Sequence, residues 1–460
     1  MTDTDLYLDA NSDRFVEELL ELLRFPSLSA DPSRSGDMIA AANWIANRMS
    51  RAGIENVRFL PPAGHPALYG DWLHAPPDAP TVLIYGHYDV QPADPIDLWQ
   101  SPPFDPSIRD GRIYARGASD MKGNLMLPII ALETLLTTGH APSANLKFLF
   151  EGQEEIGSPD LGPVIESNRD LLACDLVVSA DGGQLGENQP AVWLSVRGIC
   201  ALEVDITGPS HDLHSGLYGG GVQNPLNALS ELMASLHTHD GRIAVEGFYD
   251  DVAPVTEADR AQVAAMPIAD EHFQSSTGVP ELFGEPGYNS IERTTLRPTI
   301  DINGIWGGYT GAGQKTVIAR EGHAKITCRL VANQDPRKAG AQVEKHLNDH
   351  APAGVTVRVN VSPSLAIPYS VPAAHPGNRL IADIHRSLYG VEPIFGRVGG
   401  SIPIFGPIRR ILGADCITYG FGLEDEMIHS PNEFFRLSSY RRGQEAYVAL
   451  FDRLGELKQS

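Results

Sequence analysis

The run Val82-Leu83-Ile84-Tyr85 stands between Thr81 and Gly86 with no polar residue inside it. A strand with one wet face alternates apolar and polar side chains, so an unbroken run reads as a strand buried on both faces. "VRFL" from Val57, "NLKFLFEG" from Asn145 and "CDLVVSAD" from Cys174 are further strand-like runs. A helical segment, "KGNLMLPIIALETLLTTG", begins at Lys122 and separates the Thr81 run from the Asn145 run. Buried strands alternating with helices require a helical layer over the sheet. The expected class is therefore α/β, with a mostly parallel sheet.

Helical spacing is plain upstream. Phe15, Leu19, Leu22 and Leu23 share one face, with Asn11 or Ser12 able to cap the start and Pro26 ending the segment. Ile45 and Met49 repeat the pattern, and Gly53 is a good residue just past a helix end.

The texture changes near Arg197. "WLSVRGICALEVDITG" reads as a long strand with partial alternation, and Asn224-Pro225 opens a helix with an N-cap and a proline at its first position. Residues 239–297 are rich in Pro, Gly and acid and read as loop with fragments. "TIDINGIW" and "HAKITCRLV" are strands, "PRKAGAQVEKHLNDH" a helix and "VTVRVNVS" a strand. The order β-α-β-β-α-β is the ferredoxin-like split unit. After about Pro368 the α/β texture resumes. The expected organisation is a catalytic domain over 1–196 and 372–460, with a ferredoxin-like α+β domain inserted at 197–371. A chain of 460 residues exceeds one ordinary core, which agrees with this division.

Composition excludes some functions. A net charge of -23 argues against nucleic acid, whose phosphates need a basic face. No apolar run approaches the roughly 20 residues of a membrane span. The start, "MTDTDLYLDANSDRF", lacks the basic and apolar regions of a signal peptide. Cys174, Cys200, Cys328 and Cys416 form no C-x-x-C pair, so neither a disulfide framework nor a thiolate zinc site is signalled. A cytoplasmic setting is the expectation.

The chemistry lies where the strands end. Ligands of open α/β sheets collect at strand carboxyl ends. "TVLIYG" runs into His87 and Asp89, "RIYARGAS" into Asp120, "LKFLFEGQ" into Glu154 and Glu155, "DLVVSA" into Asp181, and "CITYGFGLEDEMI" into His429. Carboxylates mixed with imidazoles suit zinc, manganese or cobalt, and the set exceeds what one tetrahedral ion needs. It fits two divalent ions about 4 Å apart, bridged by a carboxylate. Each residue also has an ordinary reading: strand-end acids are often turn formers, Asp120 could cap the following helix, and His429 could be a loop histidine. The pair Glu154-Glu155 is the sharpest signal, because adjacent buried carboxylates repel unless a cation removes the cost.

The motifs "GHYDVQP", "GASDMKGN", "EGQEEIGS", "SADGG", "DLHSG", "GGSIPI" and "EMIHSPNE" occur in order between Gly86 and Glu433, within a resemblance that spans about Asp13 to the C-terminus. This set resembles the dinuclear zinc family of carnosinase, aminoacylase, glutamate carboxypeptidase and succinyl-diaminopimelate desuccinylase (metallopeptidase family M-twenty). Gln91, Trp99, Pro103 and Phe104 resemble its cytosolic dipeptidase branch. The resemblance implies that His87 and Asp181 hold one metal, that Glu155 and His429 hold the other, and that Asp120 bridges them. It implies that Asp89 orients His87 and that the Asp120–Met121 peptide bond is cis. Glu154 is then the general base of a dizinc metallohydrolase that cleaves dipeptides or short peptides through a metal-bound hydroxide. The inserted domain becomes a lid and the contact of a homodimer. His214 reaches the other subunit's active site, with His211 as its rival. Arg329, Gly400 and Ser401, with Gly399, take the substrate carboxylate. An N-acyl-amino-acid amidohydrolase is the alternative on the same metal site. A catalytically inactive binding or scaffold relative is the alternative of another class.

Overall fold

The apolar runs pair with one another at the centre of a six-stranded sheet. A computed structural model, which describes residues 2–60, 64–266 and 268–458, orders the strands Glu55–Leu60, Ala67–Trp72, Asn145–Glu151, Thr81–His87, Leu176–Ser179 and Asp415–Thr418. The last four run parallel, and the first two are antiparallel to their neighbours. Parallel pairing brings four carboxyl ends to one edge, where the ligand chemistry was expected. Ala67–Trp72 was not foreseen, because "ALYGDW" carries a glycine and an aspartate inside it. All six residues are buried nonetheless. Asp71 accepts bonds from Tyr69 Oη at 2.7 Å and Asn56 Nδ2 at 2.8 Å, which removes the cost of burying its carboxylate.

The helix Gly123–Thr137 is buried around almost its whole circumference, as an apolar helix without a polar stripe should be. It packs against Leu437–Arg453 and lies beside Ser12–Leu23 and Ser35–Arg51. Phe15, Leu19, Leu22 and Leu23 are buried as their spacing predicts. Asn11 holds the N-cap position, but its side chain takes no backbone N–H of that helix: Oδ1 accepts from Arg14 Nε at 3.1 Å, and Nδ2 donates to Tyr7 O at 2.9 Å, which closes an unforeseen helix, Asp3–Ala10.

By contact the chain divides into Met1–Leu194, Val371–Gly396 and Ile404–Ser460 as one compact unit, and Ser195–Ser370 with Arg397–Pro403 as the other. The second unit holds an antiparallel sheet in the order Thr299–Gly307, Glu321–Leu330, Gly198–Thr207, Thr356–Ala366. Cys200, Leu202, Val204 and Ile206 point to one face and are buried with Leu229 and Leu232 of helix Pro225–Ser235 and Val343 and Leu347 of helix Pro336–Asp349. Asn224 caps the first of these helices by accepting from Leu226 N at 2.9 Å. Among its described residues, the stretch 239–297 carries the short helices Glu257–Ala264, Asp270–Thr277 and Ser290–Thr295. Arg397–Pro403 is grouped with this unit because Arg197 N donates to Gly400 O at 2.8 Å and Arg197 Nε to Gly399 O at 2.7 Å. No described helix is long and apolar enough to cross a membrane.

Candidate metal centre

His87 is the last residue of its strand and is fully buried. Its Nε2 lies 3.2 Å from Asp120 Oδ1 and 4.0 Å from Asp181 Oδ2. Asp181 follows the strand Leu176–Ser179. His429 Nε2 lies 3.1 Å from Asp120 Oδ2 and 3.2 Å from Glu155 Oε2. Two ligand groups result, His87-Asp120-Asp181 and Asp120-Glu155-His429, each with its donor atoms within 4.8 Å of one another. Asp120 belongs to both and turns one oxygen to each imidazole.

Asp120 does not end a strand of the main sheet, contrary to the sequence reading. The strand before it, Arg112–Tyr114, belongs to a separate three-stranded sheet with Ser107–Arg109 and Phe434–Arg436. Asp120 sits in an irregular turn over Ala118–Lys122, and the Asp120–Met121 bond is cis, as expected. Asp120 does not cap the next helix, whose N-cap position is Lys122. Glycine at 86 leaves room for the Met121 side chain, whose Cε would stand 2.9 Å from a Cβ there. His429 has a φ of 61°, and Met427 and Asn432 flank it with φ of 57° and 66°. Positive φ is costly for side chains of this kind, and such strain collects where a site must be shaped.

Asp89 meets both the His87 ring and the glutamate pair. His87 Nδ1 is nearer the Asp89 carbonyl, at 3.1 Å, than its carboxylate, at 3.4 Å. The carboxylate also accepts from Glu154 N at 3.2 Å and Glu155 N at 3.0 Å. It braces the glutamate pair, while its own carbonyl sets the His87 ring.

Burial pushes the Glu154 carboxyl well up; the His87 charge opposes this, and Asp181, Glu155 and Asp120 add to it. The same burial and the Asp120 charge move Asp181 up to about 7. Bonds from Asp120 and Glu155 push His429 up to about 10. Such a cluster of mutually repelling acids and proton-holding imidazoles wants cations. Two buried atoms agree: His87 Nε2 and Glu155 Oε1 have no hydrogen-bond partner among the described residues. Two imidazoles and three carboxylates, with two buried ligand atoms not held by a hydrogen bond among the described residues, fit a pair of divalent ions.

Glu426 and Glu433, the two ends of "EMIHSPNE", carry no role in the motif pattern but support the site. Both are fully buried. Glu426 accepts from Ser119 Oγ at 2.6 Å, and Glu433 accepts from Asp120 N at 3.1 Å. A buried-looking acid at each end of the motif was the available signal. The remaining predicted residues lie in the second unit. Arg329 Nη1 donates to Ser401 Oγ at 2.8 Å, and Gly400 is next in chain. His214 is exposed and its Nδ1 accepts from Gly216 N at 3.0 Å, whereas His211 Nδ1 lies 2.9 Å from Ser210 Oγ.

The profile of peptidase family M20/M25/M40 matches residues 83–453. The chain belongs to this family. As an M20/M25/M40 member it is a hydrolase of the metallopeptidase class. It is 29% identical to the Cys-Gly metallodipeptidase of Saccharomyces cerevisiae, over 98% of this chain and 97% of that one. It is 30% identical to the Beta-Ala-His dipeptidase of Mus musculus, over 98% and 94%. The M20 family metallo-carboxypeptidase of Sulfolobus solfataricus superposes with a TM-score of 0.86 at 32% identity, covering 96% of this chain and 99% of that one.

Proposed function

We infer that the chain is a dinuclear metallodipeptidase. The observation that carries this is Asp120, whose two oxygens each face one histidine of a separate ligand group. His87, Asp120 and Asp181 would hold one ion, and Asp120, Glu155 and His429 the other, most simply zinc, with manganese or cobalt also suited. When bound, the ions supply Lewis acidity to the scissile carbonyl and lower the pKa of the attacking water.

The chain's own residues do the rest. Glu154 is not in either ligand group and is held by Asp89 through its N–H. It takes a proton from the attacking water and returns it to the leaving nitrogen. His214 receives an N–H at Nδ1, so a neutral ring carries its proton on Nε2. His214 of the partner subunit then donates to the carbonyl oxygen as negative charge develops. Arg329 keeps guanidinium donors beyond the one given to Ser401, which suits a substrate α-carboxylate. Gly400 and Ser401 complete that end. The second unit serves as lid and homodimer contact. In support, its edge strand Thr299–Gly307 exposes Ile305 and Trp306 at 52% and 47%.

The named activities of the yeast and mouse relatives favour a free dipeptide over an N-acyl amino acid. The deciding experiment is metal analysis paired with hydrolysis of a panel of dipeptides and N-acyl amino acids, before and after chelation. Two equivalents of metal and chelator-sensitive cleavage of free dipeptides is the expected result. Cleavage of N-acyl substrates alone would make it an amidohydrolase. Absence of both metal and hydrolysis would leave a scaffold protein.

A further inference from the structure

The segment 115–120 is irregular and buried, so its N–H groups need partners outside any helix or sheet ladder. One residue supplies four of them. Ala115 N donates to Glu433 O at 3.1 Å. Gly117 N donates to Glu433 Oε2 at 2.9 Å, and Ser119 N and Asp120 N donate to Oε1 at 3.0 and 3.1 Å. Arg116 balances the charge, with Nη1 2.6 Å from Oε2 and both side chains 1% exposed. Glu433 is also four residues beyond His429, at the end of the turn with three positive φ values. It therefore fastens the backbone of one ligand of the second group to the segment that carries another. His87 and Asp181, by contrast, are set by strands of the main sheet.

We propose that Glu433 is a positioning residue that fixes the separation of Asp120 and His429, and so sets affinity at the Asp120-Glu155-His429 site in preference to the other. The inference rests on the two-ion reading above. Glu433→Gln keeps the shape but turns one acceptor oxygen into a donor facing Gly117 N or Arg116, so the clamp opens on one side. A misplaced supporting residue of this kind weakens metal binding by about 10–100-fold.

The test is a titration of zinc alone into metal-stripped full-length protein against a chromophoric chelator, with the visible spectrum of the cobalt form as a second readout. Circular dichroism of the stripped proteins reports the fold. In Glu433→Gln the second equivalent should weaken by about 10–100-fold, the first by no more than about threefold, and the cobalt bands of the second equivalent should change. Glu433→Asp, which keeps the charge one methylene short, should fall between, and carries the measurement if the glutamine variant does not fold. Two unchanged equivalents, or two equally weakened ones, would overturn the inference while leaving the two-ion reading intact. Failure of both variants to fold would assign Glu433 to the fold alone and overturn it too. A wild-type chain that takes up fewer than two equivalents would overturn the two-ion reading and the inference with it.

Discussion

Glu154 and Asp89 show what one side chain decides. Desolvation raises the Glu154 carboxyl well above its usual range, with Asp181, Glu155 and Asp120 adding to it, and bound cations would counter that rise. Glu154→Gln should lower kcat by about 10²–10⁴-fold with two equivalents of metal retained, measured by turnover and metal analysis on one sample. Retained turnover would remove Glu154 from the mechanism. Asp89→Asn leaves the carbonyl that meets His87 but turns one acceptor of the glutamate N–H pair into a donor. We expect about a 10–100-fold fall in kcat/KM. An unchanged kcat/KM would show that the glutamate pair holds its place without the brace.

At the scale of elements, two buried arrangements should dominate stability. Arg48, fully buried on helix Ser35–Arg51, meets Glu18 of Ser12–Leu23 at 2.7 Å and Glu133 of Gly123–Thr137 at 2.5 Å. Arg14 and Tyr7 also bond Glu133. Arg48→Met strands two buried carboxylates and should cost about 3–5 kcal/mol in urea unfolding. A loss under about 1 kcal/mol would mean that Arg14, Arg51 and Tyr7 satisfy them. His385, on helix Pro376–Tyr389, is buried among Tyr389, Tyr419 and Phe421, and neither ring nitrogen has a hydrogen-bond partner among the described residues. Burial pushes its pKa down to about 3. The folded state therefore refuses a proton that the unfolded chain accepts near pH 6.5. Stability is full above that value and falls as pH drops from 6.5 towards 3, by up to about 1.4 kcal/mol per unit. His385→Phe should lose about 2 kcal/mol less than the parent between pH 7.5 and pH 5. Parallel pH profiles would show that the ring is protonated in the folded state.

For the whole molecule, the metal site joins segments spread from His87 to His429, so occupancy should stabilise the entire fold. At free zinc 1,000 times the dissociation constant the gain is about 4 kcal/mol. Stripping the metal should lower Tm, and returning zinc should restore it. A Tm indifferent to chelation would mean that the ligands are held equally well without ions. Sedimentation should find a dimer, which Trp306→Glu on the exposed edge strand should weaken. A wild-type monomer would remove the lid contact from the proposal.

Composition and local pattern determined the class of the fold and the inventory of the site. Unbroken apolar runs such as Val82–Tyr85 specify buried strands wherever they fall, and once such strands pair in parallel the residues just beyond them, His87, Glu154 and Asp181, share one edge. Tertiary structure alone decided how those residues are used. It turned one Asp120 oxygen to each histidine, gave the Asp89 carboxylate to the glutamate N–H groups, and made a strand of Ala67–Trp72 by supplying partners for Asp71. It also enlisted Glu433 for the Asp120 backbone from 313 residues away. Periodicity reports which faces are apolar over a few turns. It carries no signal for which distant carboxylate will satisfy a buried N–H, because that pairing is fixed only when the chain has packed.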